Sequence, residues 1–286
     1  MPAPTASPDV RRLLVAAAQL SSQSDVGENL ATAARVVAEA RARGAELVLL
    51  PENFAFMGDE QVRAANAEVL GARDAPIQAA LARIARESRV HLVAGGMPER
   101  SGDARRPYNA ALYFAPTGEL VASYRKLHLF DVSLADGTAY RESDGNLPGT
   151  DPVVIDAGGF RMGLSICYDV RFPELYRELV SLGAEVLLLP AAFTLHTGKD
   201  HWHVLTRARA IESQSYVVAA AQWGKHPLGR TTYGHALVAD PWGTVVAEAP
   251  DGVGFALASI DSARISEVRA SLPALAHRRL GVRARS

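Results

Sequence analysis

Two segments of this chain read almost alike, and that repetition narrows the possible folds more than any other feature. Gly44-Ala-Glu-Leu-Val-Leu-Leu-Pro-Glu-Asn-Phe is echoed by Gly183-Ala-Glu-Val-Leu-Leu-Leu-Pro-Ala-Ala-Phe. Each is a short, continuous apolar run closed by proline, the pattern of a strand buried on both faces. Each follows a helix-like stretch, residues 26–43 in one case and 173–182 in the other. A second echo pairs Tyr108-Asn-Ala-Ala-Leu-Tyr-Phe-Ala-Pro-Thr-Gly-Glu-Leu-Val-Ala with Tyr233-Gly-His-Ala-Leu-Val-Ala-Asp-Pro-Trp-Gly-Thr-Val-Val-Ala. Both predict a strand, a Pro-x-Gly turn and a returning strand. Residues 76–88 and 203–214 have helical spacing and lead into Val90-His-Leu-Val-Ala-Gly and Tyr216-Val-Val-Ala-Ala-Ala.

Each half therefore reads strand, helix, strand, helix, strand, hairpin. Stacking two such units predicts an α/β protein, a four-layer α-β-β-α sandwich with internal two-half pseudo-symmetry. One domain is expected over residues 10–280, with tails at 1–9 and 281–286. Two copies are too few for a solenoid, and no Gly-rich dinucleotide loop occurs.

Composition removes several classes of function. Hydrophobic residues make up 48% of the 286, enough for a sizeable core, and the formal net charge of -1 offers nothing to nucleic acid. With one cysteine the chain has no intramolecular disulfide and no thiolate zinc cage, which fits a reducing compartment. The opening Met1-Pro-Ala-Pro-Thr-Ala-Ser-Pro lacks a secretory pattern, and no apolar stretch is long enough for a membrane span. The expectation is a cytoplasmic protein with no membrane partner. His196, His201, His203 and His235 show no recognised ligand spacing, so neither a metal nor a cofactor is expected.

The single cysteine, Cys167, ends an apolar segment and precedes a polar, proline-bearing helix start. A thiol there is either a small buried apolar group or a nucleophile whose thiolate the helix end stabilises. The difference between the echoes supplies a candidate partner. Glu52 stands where the second half has Ala191, at the carboxyl end of a buried strand, where α/β sheets place their chemistry. It serves either as a cap for residues 53–58 or as a general base whose pKa burial would raise.

Past the first hairpin, Lys126 is flanked by Leu127, Leu129 and Phe130, which predicts partial desolvation. A cation held there would favour a thiolate and stabilise an oxyanion. His128, two residues on, is the rival activator in a Cys–His dyad. Residue physics leaves both open. Arg171, four residues past Cys167, either bridges to Glu174 or binds a carboxylate at a helix start.

Pro51-Glu52, Lys126-Leu-His-Leu-Phe-Asp and Cys167-Tyr-Asp-Val-Arg-Phe-Pro-Glu, in that order, resemble the signature of the nitrilase superfamily of carbon–nitrogen hydrolases. The likeness runs from Leu14 to about Arg279. It implies the α-β-β-α fold, with Glu52 as general base, Cys167 as nucleophile and Lys126 as stabiliser of the tetrahedral intermediate. The segment Arg141-Glu142-Ser143 implies that Glu142 positions the lysine and the substrate. An oxyanion would meet Lys126 and a backbone N–H, that of Tyr168.

Within the superfamily the Nit branch is the most similar, through His201-Trp-His-Val-Leu-Thr-Arg-Ala-Arg-Ala-Ile-Glu and the second hairpin. There the resemblance is to members acting on deaminated glutathione rather than to the ω-amidases. It implies that Arg171 binds an α-keto-acid carboxylate, with Phe193 and Thr197 as wall residues on the loop of residues 191–198. The expected substrate is N-(4-oxoglutaryl)-cysteinylglycine, cleaved to 2-oxoglutarate and cysteinylglycine in metabolite repair. The alternatives are an ω-amidase for 2-oxoglutaramate, a broader aliphatic amidase, or a non-catalytic Nit-type interaction module. A homodimer or larger homo-oligomer is expected by the same resemblance. Arg207, Arg209 and Glu212 read as structural charge neighbours on a helix.

Overall fold

A computed structural model describes residues 10–133 and 139–280; the expected tails, residues 1–9 and 281–286, lie outside the described residues. The first half runs β1 (Arg12–Leu20), α1 (Val26–Ala42), β2 (Leu47–Leu50), α2 (Glu60–Ala65), α3 (Pro76–Ser88), β3 (His91–Glu99), β4 (Tyr108–Phe114) and β5 (Leu120–Arg125). A small hairpin, β6 (Asp131–Ser133) and β7 (Ala139–Arg141), then leads into one helical turn, α4 (Glu142–Gly145). The second half runs β8 (Val154–Ala157), β9 (Phe160–Leu164), α5 (Pro173–Ser181), β10 (Val186–Ala191), α6 (Leu195–Ser213) and β11 (Tyr216–Lys225). It closes with β12 (Thr231–Tyr233), β13 (Leu237–Ala239), β14 (Val245–Glu248), β15 (Gly254–Asp261) and α7 (Ser262–Ser271).

Strand order shows the repeat. The first sheet is ordered β1-β2-β3-β4-β5 and the second β9-β10-β11-β13-β14, each with three parallel strands followed by an antiparallel hairpin. β15 lies antiparallel along β1, and the last two residues of β1, Gln19 and Leu20, pair with Ala221 and Gln222 of β11. That short ladder ties the sheets together at one end.

Alternation along the buried strands separates two cores. Val15, Ala17, Leu47, Leu49 and Val93 face inward and pack with Leu187, Leu189 and Val217 of the other sheet. Ala16, Ala18, Val48, Leu50 and Leu92 face outward, against α1 and α3. Period-two side-chain direction makes one apolar run serve both layers. Trp202 and Ala210 of α6 and Leu175 and Leu179 of α5 cover the second sheet, completing the α-β-β-α sandwich.

Two glycines in β3 let the sheets meet at the site. A Cβ on Gly95 would stand 2.0 Å from Pro190 Cβ, and one on Gly96, at φ +72, would stand 2.7 Å from Glu52 Cγ. The β3–β4 register shifts between Ala94 and Met97, so the pair forms a bulge.

The structure corrects two boundaries. The helix expected from residue 203 begins at Leu195, because the Thr194 hydroxyl accepts the Thr197 N–H at its N-terminus. The second hairpin is shorter than its echo: Tyr233 belongs to β12, which pairs with β11, and only Leu237–Ala239 returns against Val245–Glu248. Among the described residues, no helix is long and apolar enough to cross a membrane.

Candidate active site

Cys167 follows β9 at a backbone corner. Its φ is +48, in the left-handed region that side chains seldom adopt, and it opens a 3₁₀ turn, Cys167–Arg171, ahead of α5. Asp169, fully buried, holds that corner. One of its carboxylate oxygens accepts the Ile166 N–H at 2.8 Å and the Tyr124 hydroxyl at 2.7 Å. The other accepts the His128 N–H at 3.0 Å and lies 2.7 Å from His128 Nδ1. From α6, Arg209 donates to Val170 O at 2.7 Å and to Glu212 at 2.6 Å, the structural role expected of those residues.

His128 is thus held through Nδ1 by Asp169 and stacked on Phe172 at a centroid distance of 3.7 Å. The structure gives Cys167 a different neighbour set. Glu52, just past β2, shares the cavity with Cys167 and accepts a hydrogen bond from Lys126 Nζ at 2.9 Å. Lys126, at the end of β5, also donates to Glu142 Oε1 at 3.0 Å and Oε2 at 2.8 Å. Only 2% of Lys126 and 3% of Glu52 is exposed, so this ammonium is desolvated far beyond the partial burial expected. Its backbone is pinned on both sides, N–H to Asn109 O and C=O to the Gly149 N–H, each at 2.8 Å.

Electrostatics within the cluster runs against two expectations. Burial raises the Glu52 pKa, but the Lys126 ammonium, its hydrogen bond and the Cys167 thiol together outweigh it. The carboxyl is held below the ordinary range rather than above it. Burial, reinforced by Glu52, pushes the Cys167 thiol well up; the Lys126 charge and the Ala192 N–H pull it down by less. The expected thiolate at a helix end is therefore a protonated thiol at the start of a 3₁₀ turn, with the α-helix beginning only at Pro173. Burial opposes the charge on Lys126, but Glu142 and Glu52 more than restore it, and its pKa moves up. The resting cluster is an ion triplet, Glu52–Lys126–Glu142, beside a neutral thiol.

These groups line a cavity of about 220 Å³ together with Tyr168, Arg171, Phe193 and Thr197. Arg171 ends the 3₁₀ turn rather than starting a helix. It donates to His201 Nδ1 at 3.3 Å and lies 5.2 Å from the Phe193 ring and 5.9 Å from that of Tyr168. Among the described residues it has no ion pair with Glu174. Thr197 sits in the first turn of α6 rather than on a loop, and its hydroxyl shares a 2.9 Å hydrogen bond with Thr194.

Among the cavity residues that sequence reasoning missed, three bear on the chemistry. Asn109 Nδ2 donates to Glu52 Oε1 at 3.0 Å and Glu142 Oε1 at 3.2 Å, bridging the two carboxylates that hold Lys126. The signal was available, because Asn109 stands where the echoed hairpin has Gly234. Arg230, between β11 and β12, lines the cavity, and its charge helps to depress Glu52. Arg63 of α2 lines it from another wall. Elsewhere, His203 and His235, whose spacing in the sequence matches no recognised ligand pattern, both meet Glu248, at 3.2 and 2.6 Å.

Comparison with known proteins gives a consistent set. Residues 14–270 match the carbon–nitrogen hydrolase family. A deaminated glutathione amidase from Synechocystis sp. is 46% identical over 268 residues, spanning 93% of this chain and 97% of that protein. The crystal structure of the C. elegans NitFhit protein superposes with a TM-score of 0.87 at 39% identity, over 94% of this chain and 65% of that one. That of Saccharomyces cerevisiae Nit3, described as a member of branch 10 of the nitrilase superfamily, gives 0.85 at 32% identity over 96% and 100%.

Proposed function

The chain belongs to the carbon–nitrogen hydrolase family and hydrolyses carbon–nitrogen bonds other than peptide bonds, and we propose that its substrate is deaminated glutathione. The observation that carries this reading is the ion triplet and thiol in one cavity with an arginine, Arg171, that has no acidic partner among the described residues. The name of the Synechocystis relative supports it. An interaction module without activity gives way to the enzyme.

In this mechanism the Arg171 guanidinium takes the oxo-acid carboxylate, with Phe193 and Thr197 as walls, and so fixes the amide over Cys167. Glu52 accepts the thiol proton as sulfur attacks the amide carbonyl. Lys126 and the Tyr168 N–H meet the oxyanion. The amine of cysteinylglycine leaves with the proton returned by Glu52, and a thioester remains. Water, deprotonated by the same carboxylate, then releases 2-oxoglutarate. Glu142 and Asn109 position the ammonium throughout. Because the resting thiol is protonated, proton transfer and attack belong to one step, which spares a free thiolate in a buried site.

The test is a comparison of kcat/KM on deaminated glutathione and 2-oxoglutaramate. We expect the larger value for deaminated glutathione; a large preference for 2-oxoglutaramate would make the enzyme an ω-amidase. A second expectation concerns pH. Only ionised Glu52 is a base, and its folded pKa lies below its unfolded value of about 4.3. The acid limb of kcat/KM should therefore fall below that value, as should the loss of the stability that the ionised carboxylate contributes. A limb centred near pH 6 would contradict the assignment of Glu52 as base.

The same reading supports one hydrolase domain over residues 10–280, acting in the cytoplasm as at least a homodimer. Light scattering on the purified protein checks the oligomer.

A further inference from the structure

We propose that Arg63 forms a second carboxylate subsite, which holds the glycine end of the leaving group; the proposal rests on the substrate reading above. Arg63 sits on α2, a six-residue helix between β2 and α3 that has no counterpart in the second half. It is 5% exposed and lines the cavity of Cys167 and Lys126.

Its hydrogen bonding is half complete. Nη1 donates to Asn146 Oδ1 at 2.6 Å and lies 4.0 Å from Glu60, whose side chain is 60% exposed. Nη2 is buried and has no partner among the described residues. A guanidinium cannot shed its proton to escape burial, so an uncompensated one in a cavity wall is costly. An entering carboxylate would supply both the missing acceptor and the missing charge, in the forked geometry that arginine favours.

The subsite adjoins the reaction centre. Asn146, which orients Arg63, also donates to the Glu142 backbone carbonyl at 3.3 Å, and Glu142 holds Lys126. Arg63 and Arg171 reach the same cavity from different elements, α2 and the 3₁₀ turn. Deaminated glutathione carries one carboxylate on each side of its scissile amide. Of the other arginines that line the cavity, Arg141 is exposed and Arg230 acts on Glu52, so with Arg171 on the oxo acid the glycine falls to Arg63. 2-Oxoglutaramate, whose leaving group is ammonia, has nothing to offer it.

Steady-state kinetics on three substrates tests this: deaminated glutathione, its glycinamide form, and 2-oxoglutaramate. Arg63→Ala should lower kcat/KM on deaminated glutathione by about tenfold to a hundredfold, chiefly through KM. The other two substrates should change by less than about twofold, and Arg63→Lys should recover part of the loss. Equal losses on all three substrates would mean that Arg63 only supports the fold, and would overturn the proposal. So would a wild-type enzyme indifferent to the glycine charge. If the wild type does not turn over deaminated glutathione at all, the substrate reading fails separately. Calorimetric titration of the Cys167→Ala protein, with and without Arg63→Ala, then decides the subsite. Preference for the acid over its glycinamide that disappears with Arg63 sustains it; equal affinity rules it out.

Discussion

Replacing Lys126 with alanine should abolish amide turnover. Loss of one oxyanion donor alone typically lowers kcat by about a hundredfold to a thousandfold, and here the same ammonium keeps Glu52 ionised. Without it, burial is the largest influence left on Glu52, with Glu142 nearby as a second carboxylate. Both effects push the Glu52 pKa up, against the weaker pull of Cys167 and Arg230, so less of the base is ionised to take the thiol proton. The fold suffers as well, because two buried carboxylates lose their shared cation. Breaking a buried pair in this way costs about 3–5 kcal/mol.

The sign of its pH dependence is distinctive. A carboxyl whose folded pKa is raised costs nothing below the unfolded value, near 4.3, and costs progressively more as pH rises above it. The destabilisation by Lys126→Ala should therefore be smaller near pH 4 than at pH 8, as read by urea melts at both. Lys126→Met, which keeps most of the volume, separates the charge from the cavity it leaves. Near-native turnover in either variant would remove the lysine from the mechanism.

The sequence made the fold legible because the repeat constrains it twice. A buried strand, a helix and a hairpin recurring in one order leave few ways to stack the halves, and the observed strand orders follow the echo. Where the halves differ, the site emerges. Glu52 stands in place of the alanine of the second half and Asn109 in place of its glycine; the first difference marks a strand end, whereas the second lies inside a hairpin.

Two other features were not readable from the chain. The directions of the Glu52 and Cys167 shifts depend on how many partners surround each group, and burial alone predicts the wrong sign for Glu52. A helix-end thiolate likewise needs an exposed helix terminus, whereas Cys167 is 8% exposed and precedes the helix by a 3₁₀ turn. Arg63 escaped notice for a third reason. It lies in an insertion that the second half lacks, so comparison of the halves passes over it.

Glu52→Gln should separate acidity from catalysis at Cys167. Turnover should fall by about a thousandfold or more, because the carboxylate serves as base in acylation and again in thioester hydrolysis, and general-base contributions reach about ten-thousandfold. The protein should still fold, since Lys126 retains Glu142 at 2.8 Å and glutamine has the shape of the residue it replaces. The thiol should meanwhile become easier to ionise. Glu52 raises its pKa through both charge and hydrogen bond, while Lys126 lowers it. Removing only the first influence moves the thiol pKa down, though burial still holds it up. Iodoacetamide alkylation of Cys167, followed against pH by mass spectrometry, should reach half its limiting rate at a lower pH in the variant than in the wild type. An enzyme limited by thiol ionisation would become faster on its amide as well. One that needs the carboxylate to carry the proton becomes more reactive toward the alkylating agent and inert toward the amide, and this opposite movement is the expected result. If both rates fall together, Glu52 acts by shaping the cavity; if amide turnover survives, the base lies elsewhere.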